Sequence, residues 1–312
     1  MQLIKAAFFL LILLGGHPAA ARSETQHPGQ TQQPAHYAEE QPRESGRPER
    51  LRPFGIAYLD ADHLYDTVPS PFYDDSDYTP QGPLRWNTAR YRRKTARTAA
   101  LIDSLGLPVV ALWSVENEQV VRDIAATCQG DYTYLHRTLN SLDGMDFALL
   151  YYADMFFPRY VETGRRYLYV EGILRRPAGR GPRQRFRSDT VGLVLCSEQR
   201  MFRWVVGELR DERPGIKLIV MGRLPARETA QYGLHDVHAR AERAGRGNIR
   251  GRAGWIMRDR IAIDTALRVR TGDVYIRRFL LDPAGTRPLP AYDRRRYCGG
   301  TSYALPVYVY IE

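Results

Sequence analysis

Two periods of apolar and polar residues alternate along most of this chain. At residues 107–117, LPVVALWSVEN, a run of Val, Leu and Ala breaks off at Ser114, Glu116 and Asn117. Its length and β-branched content predict a buried strand, with polar groups where the strand runs out. In layered α/β proteins, ligands sit at such strand ends. Further apolar runs predict strands at 54–58, 145–151, 167–174, 190–195, 217–221, 255–263, 273–281 and 303–311. Helical spacing of Ala, Leu and Ile predicts a helix over 91–104 stopped by Gly106, and others over 120–128 and 198–210. Strands alternating with helices imply stacked α/β layers.

Before the first of these strands the pattern is different. Met1 to Ala21 has one charge at Lys5, an apolar stretch from Ala6 to Leu14 and a small-residue end at Ala19-Ala20-Ala21. That order of features predicts a secretory signal peptide, too short to span a membrane, and therefore an exported, periplasmic or secreted protein. Arg22 to Arg52 is Gln, Pro, Glu, Ser, Arg and His with almost no large aliphatics. Such a stretch cannot bury enough surface to offset its ordering entropy and reads as a disordered linker. Residues 53–312 then read as one domain, with no second low-complexity break. Nothing in this pattern sets the oligomeric state.

Charge narrows the partners. The net charge is +10, and Lys occurs only at Lys5, Lys94 and Lys217, so nearly all of the 45 basic residues are Arg. Arginine's planar fork suits phosphate, and the clusters at 90–97, 175–187 and 294–296 could hold a phosphate-containing or polyanionic ligand. Arg spread this evenly also fits plain solvated surface. Cys128, Cys196 and Cys298 match no zinc spacing and read as small buried hydrophobes. Asp74, Asp75 and Asp77 lack a regular oxygen-ligand loop for calcium, and His235 and His238 lie three apart on an expected helix, a spacing compatible with a metal.

The order of landmarks resembles the endonuclease/exonuclease/phosphatase superfamily, the metal-dependent phosphoesterases related to DNase I and exonuclease III, and in particular its exported bacterial branch. The family's Asn-Val-Glu-Asn-Leu-Phe-Asp resembles Asp60-Ala61-Asp62-His63-Leu64-Tyr65-Asp66. Its Thr-Pro-x-Gly before a Trp resembles Thr79-Pro80-Gln81-Gly82 and Trp86. Its Leu-Gln-Glu-Val-Glu-Asn resembles Leu112-Trp113-Ser114-Val115-Glu116-Asn117, and its Gly-Ile-Asp-Val-Ala-Leu-Leu-Tyr resembles residues 144–151. Gly-Asp-Phe-Asn falls on Gly222-Arg223-Leu224-Pro225. The terminal Gly-Gly-x-Ser-Asp-His-Leu-Pro-Val falls on residues 299–307. The resemblance covers residues 53–312 and implies a layered α/β sandwich of two packed mixed β-sheets flanked by helices, with the site in the cleft where the strands end.

The departures fall on the chemistry. By resemblance, the metal carboxylate is Ser114, the Asp-x-Asn pair is Arg223 and Pro225, the terminal Asp-His is Tyr303-Ala304, and the first Asn is Asp60. Glu116, Asp146 and Asp259 stand as the family would have them. Hard divalent cations demand oxygen ligands, so no cofactor is expected here, and Mg²⁺ or Mn²⁺ only if the protein is active. The favoured expectation is a pseudoenzyme with no catalytic residues and an anion-binding candidate in Arg223. Two alternatives stay open: an active phosphodiesterase or nuclease with a site relocated to Asp60, Asp62 and His63, and an interaction protein that binds through its Arg-rich loops.

Overall fold

The computed structural model describes residues 53–139, 141–178 and 185–312; the expected signal peptide and linker lie outside the described residues. β1 (Phe54–Leu64) leads through a long loop to α1 (Thr88–Leu105). Asn87 caps α1 by accepting the Arg90 N–H, and Gly106 closes it at φ 59°, a left-handed turn that glycine takes without strain. β2 (Val109–Val115) follows, then α2 (Glu118–Thr127) capped by Asn117, then β3 (Thr133–Arg137) and β4 (Asp146–Tyr151). Next come β5 (Phe156–Gly164), β6 (Tyr167–Ala178), β7 (Arg185–Cys196), α3 (Gln199–Glu212) and β8 (Lys217–Gly222). After β9 (Leu234–Asp236) and the short α4 (Ala239–Arg243), a ribbon of β10 (Ile249–Arg250) and β11 (Trp255–Ile256) leads into β12 (Arg260–Asp264) and β13 (Val269–Val274). A second ribbon, β14 (Tyr292–Asp293) with β15 (Arg296–Tyr297), precedes β16 (Val307–Ile311).

Among the described residues the long strands form two six-stranded sheets, ordered β13-β16-β1-β2-β4-β3 and β5-β6-β7-β8-β12-β9. Both are mixed: β1 with β2 and β7 with β8 run parallel, and their other neighbours antiparallel. The period of two decides which side chains meet. Val191, Leu193 and Leu195 of β7, Ile219 and Met221 of β8, and Ile261 and Ile263 of β12 join one core with Ile56, Leu112 and Val309 of the other sheet. The alternate positions Val194, Cys196, Leu218, Val220 and Ala262 face a second cluster with Phe202, Val205, Val206 and Leu209 of α3. α1 and α2 pack on each other and bring Leu101, Ile102, Val120 and Ile124 into the first core. Each such fully buried side chain is worth about 1.5–3 kcal/mol.

Several expectations are corrected. The strand expected over 255–263 is two strands, because residues 257–259 leave the ladder. The strand expected over 273–281 is β13, placed earlier, followed by a 3₁₀ turn at Arg278–Leu280; pairing stops at Val274↔Val307, where Pro306 has no N–H to extend β16. For the same reason β16 begins at Val307 and not at Tyr303. β3 and β5 were not expected: both are edge strands, and β5 is half-exposed and carries Pro158, so neither shows an apolar run. His235 and His238 do not share a helix, since His235 is exposed on β9 and His238 is buried before α4. All three cysteines are free, and only Cys196 is fully buried. No helix among the described residues is long and apolar enough to cross a membrane.

Candidate functional site

β1 and β2, the parallel pair at the middle of the first sheet, both end in bulges. Their register runs to Asp60↔Trp113 and resumes only at Leu64↔Val115. Asp62, His63 and Ser114 take up the left-handed backbone, at φ 55°, 56° and 70°. That conformation costs a non-glycine residue about 1–3 kcal/mol and persists only where the surroundings enforce it. Here the His63 N–H donates to Ser114 Oγ at 2.8 Å, and buried Lys94 of α1 donates to the Asp62 carbonyl. Burial pulls the Lys94 ammonium below its ordinary range, and Asp62 and Asp60 oppose that shift.

Beyond the bulge, a network of charged groups closes over Asp60. Asp60 and Asp259 are buried, with side chains 2% exposed, and one nitrogen of Arg258 reaches both. Arg258 Nη2 donates to Asp60 Oδ2 at 2.8 Å and to Asp259 Oδ2 at 2.6 Å, while Nε donates to Asp259 Oδ1 at 3.0 Å. The Tyr303 hydroxyl donates to Asp60 Oδ2 at 2.9 Å, Arg258 Nη1 donates to that hydroxyl, and the guanidinium lies 4.6 Å from the Tyr303 ring centre. Asn248 Nδ2 donates to Asp259 Oδ2 at 2.7 Å, and Asn248 Oδ1 accepts the backbone N–H groups of Arg258 and Asp259. Burial pushes the Asp60 carboxyl above the usual carboxylate range, with Arg258 pulling the other way. Burial also works against the charge on Arg258, but Asp259 and Asp60 outweigh it and hold the guanidinium protonated well above its ordinary range. Burial, reinforced by Asp60, lifts the Tyr303 hydroxyl to about 12.

Beside this group opens a cavity of about 480 Å³. Arg223, Arg258 and Arg260 line one part of it, and Leu224, Ile256 and Met257 supply an apolar wall. Arg260 is paired with Asp236 at 2.7 Å and Glu242 at 2.5 Å. Arg223 is different: its Nε is buried with no hydrogen-bond partner, and it forms no ion pair among the described residues. Its position is set by Gly222 at φ 118°, where a Cβ would meet the Cys196 carbonyl oxygen at 2.0 Å, and by the Arg223 N–H donating to that same carbonyl. The cavity is also lined by Ser197, Glu198 and Gln199, the start of α3, which has no side-chain cap. Uncapped N–H groups and the positive end of the helix dipole favour an anion there. Glu198 itself is paired with Arg166 at 3.3 Å and Arg200 at 2.5 Å.

A family model described as "Endonuclease/Exonuclease/phosphatase family" matches residues 55–172. Over those residues the chain carries the sequence pattern of that family. Among solved structures, a D. rerio TDP2 humanized by 14 mutations matches with a TM-score of 0.53 and 13% identity over 83% of this chain and 99% of that one. An endonuclease/exonuclease/phosphatase from Bacteroides vulgatus matches with a TM-score of 0.50 and 10% identity over 84% and 99%. At that identity these two matches speak to the fold. No curated protein matches the sequence.

The superfamily's relatives are typically metal-dependent, but the residues here do not fit a divalent ion. The residue read by resemblance as the metal carboxylate is Ser114, buried and neutral, whose Oγ accepts the His63 N–H and donates toward Met145 Sδ at 3.2 Å. Among the described residues no group of three or more His, Cys, Asp or Glu side chains is placed to hold an ion. Asp60 and Asp259 are already bonded to a guanidinium.

Of the residues singled out by resemblance, the fold joins Asp60, Asp259 and Tyr303 around Arg258, and puts Arg223 on the cavity that Arg258 lines. Glu116 instead holds the loop after β1, accepting the Asp66 N–H at 2.6 Å and the Tyr73 hydroxyl at 2.8 Å. Burial lifts its carboxyl to about 7, against the pull of these two donors. Asp146 is buried against His136 at 3.0 Å and the Leu139 N–H. Pro225 is buried, and Ala304 is buried in a bridge to Ile249. Of the trio considered for a relocated site, only Asp60 brings its side chain into the network, while Asp62 reaches it through its N–H on Asp60 and turns its carboxylate to the His63 ring at 3.6 Å. Arg258, Asn248 and Lys94 were missed. Arg258 could have been noticed as a charge beside Asp259 within an apolar run. Lys94 was read as part of a surface cluster, yet it is 2% exposed, and Arg176 of the second cluster is likewise buried against Asp189.

Proposed function

We infer that this protein is a non-catalytic member of the superfamily, exported as a single domain behind a cleaved signal peptide and a linker, whose cleft binds an anion without a metal. The observation that carries the reading is the division of charge within one cleft. The carboxylates that would serve a divalent ion are taken up by Arg258, whereas Arg223 has no carboxylate partner. Loss of a single catalytic electrostatic group costs on the order of 10²–10³ in rate, and here a whole set is replaced. An anion in the cavity would meet Arg223 and the opening turn of α3, and would relieve the cost of a buried guanidinium nitrogen left without an acceptor.

Two measurements test this. Incubation with plasmid DNA and with bis(p-nitrophenyl) phosphate, each with Mg²⁺ or Mn²⁺, is expected to give no hydrolysis above background; metal-dependent turnover abolished by Asp60→Ala would sink the reading. Phosphate or a nucleotide is expected to raise the melting temperature in proportion to RT ln(1 + [L]/Kd). The shift should vanish in Arg223→Ala. An anion shift that survives this substitution would move the binding site to the Arg-rich loops.

A further inference from the structure

We propose that Arg258 is the permanently resident cation of the cleft: its guanidinium holds Asp60 and Asp259 together and, while in place, keeps a divalent ion out. Two buried carboxylates meet at a single nitrogen, 2.8 Å and 2.6 Å away. Without a cation between them, like charges this close and this deep could not both stay ionised. Their other contacts are hydrogen-bond donors that carry no charge: the Tyr303 hydroxyl and Asp62 N–H on Asp60, and the Asn248 amide on Asp259. Arg258 therefore supplies the positive charge bonded to this pair among the described residues. A hard divalent ion would need the same oxygens at about 2.0–2.6 Å, space the guanidinium occupies.

Two consequences follow from this geometry. The native protein needs no metal to hold its cleft. Removal of the guanidinium alone, with Asp60 and Asp259 left in place, leaves a carboxylate pair that takes up a proton in metal-free buffer and that a divalent ion can neutralise by displacing that proton. This goes beyond the anion reading and is separable from it, because no measurement below involves an anion or Arg223.

The experiment uses the full chain with Mn²⁺ as the probe, followed by loss of the free-ion electron paramagnetic resonance signal and by thermal melting in EDTA or Mn²⁺. The native protein is expected to bind no Mn²⁺ at about 1 mM, and its melting temperature should move by less than about 1 °C between the two conditions. Arg258→Met is expected to bind one Mn²⁺ per chain with half-saturation below about 1 mM, and to melt several degrees higher with the ion than in EDTA. Asp259→Asn added to Arg258→Met should abolish both effects, and Arg258→Lys, which keeps a cation, should behave as the native protein. Native binding of Mn²⁺ lost in Asp60→Asn overturns the proposal. So does a folded Arg258→Met indifferent to Mn²⁺, or an Arg258→Met that stays unfolded with the ion present, since the ion should replace the missing charge.

Discussion

Two arginines face one cavity, and their surroundings could hardly differ more. Arg258 is held by two carboxylates and by the hydroxyl and ring of Tyr303, and its charge is matched by those acids. Arg223 projects from the turn after β8 with its Nε buried and no acceptor in reach. The same side chain is a structural counter-ion in the first setting and an open donor in the second. What distinguishes them is where the neighbouring acids fall, and those acids come from β1 and from the segment before β12, far apart in the chain.

The sharpest way to break this contrast is to remove the partnered guanidinium. Arg258→Met in metal-free buffer should lose about 3–5 kcal/mol of unfolding free energy in a denaturant titration, because the buried carboxylate pair is left without its counter-ion and must either stay uncompensated or take up a proton. Restoring neutrality with Asp60→Asn and Asp259→Asn in the same chain should recover much of that loss, a non-additivity that a simple packing defect would not produce.

Glu116 shows the same lesson from the acid side, since its donors, the Tyr73 hydroxyl and the Asp66 N–H, are neutral. Its carboxyl is raised to about 7 from the ordinary 4.5, so between those values the folded chain keeps a proton that the unfolded chain has released. The stability from this group is complete below 4.5 and is lost as pH rises through 7. The loss should amount to about 2 kcal/mol, and Glu116→Gln should remove it when unfolding is compared at pH 5 and pH 8.

Arg223→Ala should have the smallest effect on stability, a change within about 1 kcal/mol of either sign, because no hydrogen bond is broken and an unsatisfied buried donor is removed. A larger loss would mean that Arg223 has a structural partner after all, and the contrast with Arg258 would fail.

The fold was largely legible from the chain. Buried strands such as β2, β4 and β8 write themselves as apolar runs, since both of their faces are covered, and α1 announces itself through helical spacing closed by Gly106, while its cap Asn87 and the cap of α2, Asn117, emerge only in the structure. β3 and β5 did not, because an edge strand half open to solvent carries no such run.

The site was legible as a list of replacements and not as an arrangement. By resemblance, the sequence sets Ser114, Arg223, Tyr303 and Ala304 against the positions where the superfamily keeps its reactive groups. It could not say that Arg258 lies between Asp60 and Asp259, nor that Lys94 is buried and Glu116 holds a loop. Those outcomes depend on which strand ends meet: Asp60 lies 198 positions from Arg258 along the chain. Local pattern reports which face of a strand is buried, but the pairing of charges across two sheets is an energy that exists only after the sheets have packed.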